Sequence, residues 1–202
     1  MMFQRIIGLT GGIGSGKTTV SNYLADKYNL MVLDADIYAR EAVDIDSPIL
    51  AAIFTRYGDR LMLENGRLNR TALAEIIFNN PLEKQWLESQ IHPYVRHRFQ
   101  QELLNLKDNT VVLAIPLLFE ANFTDLVTEI WVVYCDRSTQ VTRLQQRDRL
   151  TIQQAETRID NQLPLSEKIK LADVVLDNSG NLQHLTQQID RAIAINRQDS
   201  IL

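Results

Sequence analysis

Scarcity narrows the reading first. There is one cysteine, Cys135, so an intrachain disulfide is excluded and a cysteine-based metal site is argued against. That residue ends the apolar run Trp131-Val132-Val133-Tyr134, the setting of a packed thiol rather than a reactive one. No apolar run is long enough to cross a bilayer, and the N-terminus lacks a basic region leading into an unbroken apolar segment and cleavage site. A soluble, cytoplasmic protein with no membrane partner is expected. The net charge of −4 supplies no overall basic field, which weighs against a nucleic-acid partner. Anionic ligands then need local cations, and fifteen arginines against six lysines favour the planar guanidinium that suits bidentate phosphate contacts. There is no internal repeat or low-complexity stretch. At 202 residues, 45% apolar and 23% charged, the chain suits one domain with an insertion, or one and a half domains, and is long enough to bury a large core.

What is present is organised around the opening stretch. Arg5-Ile6-Ile7-Gly8-Leu9-Thr10 reads as a buried strand, Gly11-Gly12-Ile13-Gly14-Ser15-Gly16-Lys17-Thr18 fits the pattern G-x-x-x-x-G-K-[ST], and Val20, Tyr23 and Leu24 follow at helical spacing. Glycines let the backbone turn its N–H groups inward around phosphate oxygens, and a helix starting near Gly16 adds free N–H groups and a positive dipole end. Lys17 is placed to reach the β- and γ-phosphates and the Thr18 hydroxyl to ligate Mg²⁺. A plain glycine-rich turn with a surface lysine leaves the agreement of strand, glycines, Lys-Thr and helix unexplained.

Beyond the loop, Leu30 to Leu33 reads as a second buried strand ending in Asp34-Ala35-Asp36, where acidic groups sit on the rim at which open α/β sheets bind ligands. Asn29 is expected in the left-handed conformation. Ser47-Pro48 and Asn80-Pro81 are cap-and-proline helix starts, a further helix begins near Asn69, and Asn65-Gly66 is the turn of a small hairpin or loop. Pro93 should split or kink the long run after Asn80 near His92. Residues from about 47 to 106 thus form a helical insertion. Strands return at Val111 to Ile115, Ile130 to Cys135 and Val174 to Leu176, with helices between them. Asp136 is placed to cap the first of these, and Thr151-x-x-Gln154 forms a capping box for the next, to about Gln162. A last helix carries Leu182, Leu185, Ile189 and Ile193, and Arg197 to Leu202 are expected to fray. The pattern predicts an α/β fold with a parallel sheet covered on both faces, of the P-loop NTPase three-layer type.

Switches, motors and small-molecule kinases all use such a loop. Asn105-Leu106-Lys107-Asp108 has the wrong order for guanine recognition, and Asp177-Asn178-Ser179-Gly180 lies too late to be a switch element. The glycines are not spaced G-x-G-x-x-G and Lys17-Thr18 belongs to the other motif, which argues against a dinucleotide fold. The third strand ends in Pro116 rather than the acidic residue a motor ATPase needs. A helical insertion and a late arginine-bearing segment, with Arg143, Arg147 and Arg149, suit a kinase with an arginine lid, although a solvated helix face explains the same three residues. A kinase for another small acceptor, and a regulatory protein that binds nucleotide without transfer, stay open on these grounds.

Taken together the motifs resemble one family, the dephospho-coenzyme A kinases. The resemblance rests on Leu9 to Lys17, Asp34-Ala35-Asp36 with Ala39-Arg40, Leu68-Asn69-Arg70 with Leu73 and Ile77-Phe78, His92-Pro93, Pro116-Leu117-Leu118-Phe119-Glu120, Arg143 with Arg147, Gln162, Ala172-Asp173, and Asn178 with Gly180. It implies ATP-dependent phosphorylation of the ribose 3′-hydroxyl of dephospho-coenzyme A, the last step of coenzyme A synthesis, with ATP and dephospho-coenzyme A as partners and Mg²⁺ as cofactor. It also implies a nucleotide-binding core (residues 1–46 and 107–202) with a lid within about 137–165, and a helical acceptor domain (47–106). By resemblance the catalytic residues are Asp36, as general base, with Lys17, Arg143 and Arg147. ATP contacts fall on Gly12, Ile13, Gly14, Ser15, Gly16, Lys17, Thr18, Thr19 and Asn178, and Mg²⁺ on Thr18. Acceptor contacts fall on Thr10, Asp36, Arg40, Arg70, His92, Pro116 and Leu117. Asp34 reads equally as a helix cap or a water-mediated metal contact, and His92 as a structural hydrogen-bonder or a ligand contact.

Overall fold

The computed structural model describes residues 5–106 and 110–198. Five strands, β1 (Arg5–Gly11), β2 (Met31–Asp34), β3 (Thr110–Ala114), β4 (Glu129–Tyr134) and β5 (Val174–Asp177), form one sheet in the order β2-β3-β1-β4-β5. β1 runs parallel to β3 and to β4, with Ile7 opposite Val112 on one side and Glu129 on the other, and β4 runs parallel to β5. Its central place explains why β1 reads as an unbroken apolar run rather than an alternating one.

The chain divides into two compact units, one made of the residues up to 33 and those from 107 onward, the other Asp34–Leu106. In the sheet-bearing unit, helices α1 (Lys17–Tyr28) and α9 (Leu182–Gln198) pack on the strands: Val20, Leu24, Leu185 and Ile189 share a buried core with Ile7, Leu9, Val112, Trp131 and Val133. The two helices are also pinned by Asp190, whose carboxylate accepts hydrogen bonds from Tyr23 Oη (2.9 Å), Tyr28 Oη (2.8 Å) and Lys27 Nζ (2.8 Å). Asn29 ends α1 in the left-handed region, φ 53°, as its position required. Helices α6 (Arg137–Asp148), α7 (Ile152–Asp160) and α8 (Leu165–Lys170) lie between β4 and β5. The capping box of α7 has both bonds, with Thr151 Oγ1 accepting from Gln154 N and Gln154 Oε1 from Thr151 N. Asp136 holds the N-cap position of α6 but accepts no helix N–H; the Tyr134 hydroxyl donates to its carboxylate at 3.0 Å.

The other unit contains α2 (Ala35–Glu41), α3 (Pro48–Tyr57), α4 (Arg70–Asn79) and α5 (Pro81–Asn105) around a core of Val43, Leu50, Ile53, Leu61, Leu68, Leu73 and Leu87. Ser47, Asn69 and Asn80 cap their helices with side-chain oxygens. The hairpin closes through Gly66, φ 75°, with Met62 and Leu68 bridged antiparallel. This unit starts at Asp34, ahead of the expected residue 47. Tyr38 of α2 stacks edge-on against Phe99 of α5 with ring centroids 5.1 Å apart, and Arg98 Nε lies 3.2 Å from Glu41, so α2 belongs with the helices. Pro93 does not split α5, which is continuous over 25 residues. Proline removes one helical hydrogen bond, and the burial of Leu87 on one side with Val95 and Phe99 on the other outweighs that loss. The expected fraying from Arg197 lies largely outside the described residues, α9 being assigned to Gln198.

Candidate active site

The glycine-rich segment links β1 to α1 at the centre of the sheet, outside the carboxyl end of a strand flanked by neighbours on both sides. That is where open parallel sheets bind ligands. Gly14 and Gly16 have φ of 77° and 102°, backbone that L side chains rarely adopt. Within the loop, Ser15 N donates to Gly12 O at 3.0 Å and Ile13 N to Gln162 Oε1 at 2.8 Å. The N–H groups of Gly14, Gly16, Lys17 and Thr18 have no partner among the described residues, and they stand at the N-terminal, positive end of α1. The Lys17 ammonium meets no carboxylate among those residues, and Thr18 and Thr19 are exposed in the first turn. Ser15 Oγ is buried without a hydrogen-bond partner. A concave surface of unpaired donors with one free ammonium is an anion cradle.

Side chains from distant parts of the chain hold the loop in shape. Arg143 of α6 donates from Nη1 to the carbonyls of Gly14 (3.2 Å) and Ser15 (3.1 Å), and from Nη2 to Asn178 O (3.0 Å). Asn178 Nδ2 donates to Ser15 O at 2.7 Å, and Gln140 Nε2 to Ile13 O at 2.7 Å. Arg143 and Asn178 are thus brought to the loop. Arg147 is not: it is exposed and pairs with Asp148 (2.8 Å), which also meets Arg158 (3.1 Å). Hydrogen bonding to Asp148 raises the Arg147 pKa and fixes its charge. Thr10 is buried on β1 and donates to Pro116 O at 3.1 Å, with Leu117 the next residue of that turn.

In the helical unit Asp34 caps α2: its Oδ1 accepts from Asp36 N at 2.8 Å. The capping role is therefore filled, and the exposed Asp36 carboxylate belongs to the first turn of the helix. Asp36, Arg40 and Arg70 line one cavity of 420 Å³ whose wall includes Val43, Leu68 and Leu73. Arg70 Nη2 donates to the backbone carbonyl of Arg40 at 3.2 Å, which ties the start of α4 to α2. His92 is not among the lining residues of this cavity, where its neighbour Ile91 is. Burial holds the His92 pKa below the usual histidine value against the opposing charge of Glu88.

A family model described as dephospho-CoA kinase matches residues 5–184. The chain belongs to the dephospho-CoA kinase family. It is 57% identical over 192 residues to a dephospho-CoA kinase of Trichormus variabilis, covering 95% of this chain and 98% of that one. Among solved structures, a Thermus thermophilus protein is 34% identical with a TM-score of 0.81, covering 95% and 97% of the two chains. A dephospho-CoA kinase from Campylobacter jejuni is 27% identical with a TM-score of 0.72, covering 98% and 100%. The sheet and loop are accordingly those of a P-loop kinase, an α/β transferase fold.

Sequence reading missed three features of this kinase. Gln140 carried no local signal, being a polar residue within an arginine-rich helix. Helix α8 is six residues long, too short for its periodicity to show. Its Lys168 is fully buried, which only its distant partners explain. Cys135 matches its expectation: it is buried, its thiol donates to Gly14 O at 3.8 Å, and burial raises its pKa. Thiol reagents at pH 8 should therefore modify the native kinase at least about 10²-fold more slowly than the guanidinium-unfolded chain. Equal rates, followed at 412 nm with a disulfide reagent, would show the thiol to be accessible.

Proposed function

We propose that this dephospho-CoA kinase transfers the γ-phosphoryl group of ATP to the ribose 3′-hydroxyl of dephospho-coenzyme A in the cytoplasm, giving coenzyme A and ADP. The observation that carries the donor half is the set of unpaired N–H groups at Gly14, Gly16, Lys17 and Thr18 beside the free Lys17 ammonium, since phosphoryl transfer needs positioning and charge neutralisation more than covalent chemistry. Lys17 holds the β- and γ-phosphates. Arg143 braces the loop carbonyls away from the phosphates, and the Asn178 segment lies on the nucleoside side. Arg147, paired with Asp148 in this structure, is read as a lid residue that turns to the phosphates on closure.

The exposed Thr18 hydroxyl fits Mg²⁺, a hard cation that keeps waters and substrate phosphates as its other ligands. Among the described residues no group of three or more histidine, cysteine or acidic side chains competes for that role. When bound, the ion neutralises phosphate charge.

On the acceptor side, Asp36 orients the 3′-hydroxyl and takes its proton. The O3′–Pγ bond forms as the bond from Pγ to the bridging oxygen breaks, and the electron pair leaves on ADP. Arg40 and Arg70 suit the diphosphate of the acceptor, and the apolar wall of their cavity suits its uncharged arm. Thr10 contributes from β1 and Pro116 and Leu117 from the turn after β3, and His92 supports the helical unit from within α5.

Purified protein should form ADP from Mg-ATP only when dephospho-coenzyme A is present, with the product phosphorylated at the 3′ position by phosphorus NMR. Equal ATP turnover without that acceptor, or preference for another acceptor in a panel of nucleosides and sugars, would overturn the reading.

A further inference from the structure

The Lys168 ammonium is withdrawn completely from water, at 0% exposure. Removing a cation from water costs several kcal/mol unless its bonds are well made, so a site that needed only packing is better filled by Met or Leu. Lys168 Nζ donates to Pro116 O at 3.1 Å and lies 2.9 Å from Glu120 Oε1. Both partners belong to one turn, the segment after β3. The Pro116 carbonyl also accepts the Thr10 hydroxyl at 3.1 Å, so two donors from opposite parts of the chain use both of its lone pairs.

Glu120 is engaged twice in the same way, because its Oε1 also accepts from Leu163 N at 3.0 Å. The residue before Leu163 is Gln162, which accepts from Ile13 N of the phosphate loop. The segment from Gln162 to Lys168 therefore grips the phosphate loop at one end and the Pro116–Glu120 turn at the other. Three backbone bonds shape the turn itself, from Ala121 N to Leu117 O, Asn122 N to Phe119 O and Phe123 N to Leu118 O, and they fix a local fold but not its seat on β1. The seat comes from the packing of the buried Leu118 and the Ile115 N to Leu9 O bond, with Thr10 and Lys168 fixing the Pro116 carbonyl.

We infer that Lys168 is a positioning residue for phosphoryl transfer, acting through Pro116 and Glu120 to hold the turn after β3 in the conformation that receives the acceptor. The inference rests on the reading of Pro116 and Leu117 as acceptor contacts. It predicts an asymmetric effect. Lys168 touches the turn directly and the phosphate loop only through Gln162, so its loss disturbs acceptor use before ATP use.

The test compares wild type with Lys168→Met, Glu120→Gln and the double variant. Lys168→Met should raise KM for dephospho-coenzyme A about 10-fold or more and leave KM for ATP within about twofold. Glu120→Gln, which keeps the shape and the Leu163 bond, should shift the acceptor KM in the same direction by less. It serves as the readout if Lys168→Met fails to fold. The double variant should be no worse than Lys168→Met alone, the non-additivity expected of one contact. Amide hydrogen exchange at Ala121, Asn122 and Phe123 should accelerate in the variants, while Val20 and Leu24 amides in α1 stay protected. Equal rises in both KM values, or unchanged turn exchange in a folded variant, would overturn the inference. Absence of any acceptor-dependent ADP in wild type would instead overturn the acceptor reading, and the exchange data alone would then decide whether Lys168 seats the turn.

Discussion

Asp36→Asn is expected to lower the rate of phosphoryl transfer about 10²-fold or more while leaving ATP affinity nearly unchanged. The two aspartates of Asp34-Ala35-Asp36 have separate tasks. Asp34 accepts the Asp36 N–H and caps α2, so the carboxylate of Asp36 is not needed to start the helix. Asparagine keeps the size and one acceptor oxygen of the side chain but cannot take a proton at neutral pH. With a loose transition state, orientation of the hydroxyl counts for more than proton removal, so Asp36→Asn should retain more activity than Asp36→Ala. Wild-type turnover in Asp36→Asn would remove it from the reaction. Reduced stability with normal turnover would assign it to the helix. The reciprocal variant, Asp34→Ala, should cost about 1 kcal/mol of stability through the lost cap.

Why some features were legible and others were not follows from where their causes lie along the chain. The phosphate loop, the caps at Ser47, Asn80 and Thr151 and the left-handed Asn29 have causes within a few residues: a missing Cβ, a short polar side chain beside free N–H groups, a carbonyl to be satisfied. Pro93 also has a local cause, and α5 runs through it without the split that cause allowed. Its penalty is fixed at one hydrogen bond and a clash, whereas the apolar side chains burying α5 lie on both sides of it. Asp136 looked like a cap on local grounds, and the hydroxyl of Tyr134, two residues back, bonded it instead. The boundary at Asp34 depends on Tyr38 meeting Phe99, a contact across sixty residues of sequence. Lys168 is the clearest case. In Leu165-Ser166-Glu167-Lys168-Ile169-Lys170 it looks like any solvated lysine, and its neighbour Lys170 is one, pairing with Glu167 at the surface. Only Pro116 and Glu120, from another strand's exit, account for its burial. The same holds for Arg143 against Arg147. Four residues apart on one helix, they read alike, yet one is spent on loop carbonyls and the other on Asp148.

Gly16→Ala is expected to weaken ATP binding about 10²-fold or more, although it adds one methyl group and removes no contact. Two costs coincide at this position. The backbone stands at φ 102°, where an alanine is strained by about 1 kcal/mol or more. A Cβ there would also overlap Asn178 Nδ2, the atom that donates to Ser15 O. Asn178 cannot swing aside freely, since it is buried and its carbonyl is held by Arg143. Relief must come either from breaking the Asn178–Ser15 bond or from moving the loop, and each outcome disturbs the unpaired N–H groups of Gly16, Lys17 and Thr18 on which the proposed phosphate site rests. Gly66→Ala separates strain from site: it has a comparable φ of 75° but open space around the Cβ, and it lies in the hairpin of the helical unit. It should lower stability by about 1 kcal/mol and leave ATP affinity unchanged. Equilibrium titration with a non-hydrolysable ATP analogue, beside thermal unfolding of both variants, distinguishes the cases. Equal loss of ATP affinity in the two would trace the effect to general destabilisation, whereas loss confined to Gly16→Ala would tie nucleotide binding to the packing of Asn178 and Arg143 against the loop. In that event the loop's amides are held for ATP as much by the exit of β5 as by the glycines themselves.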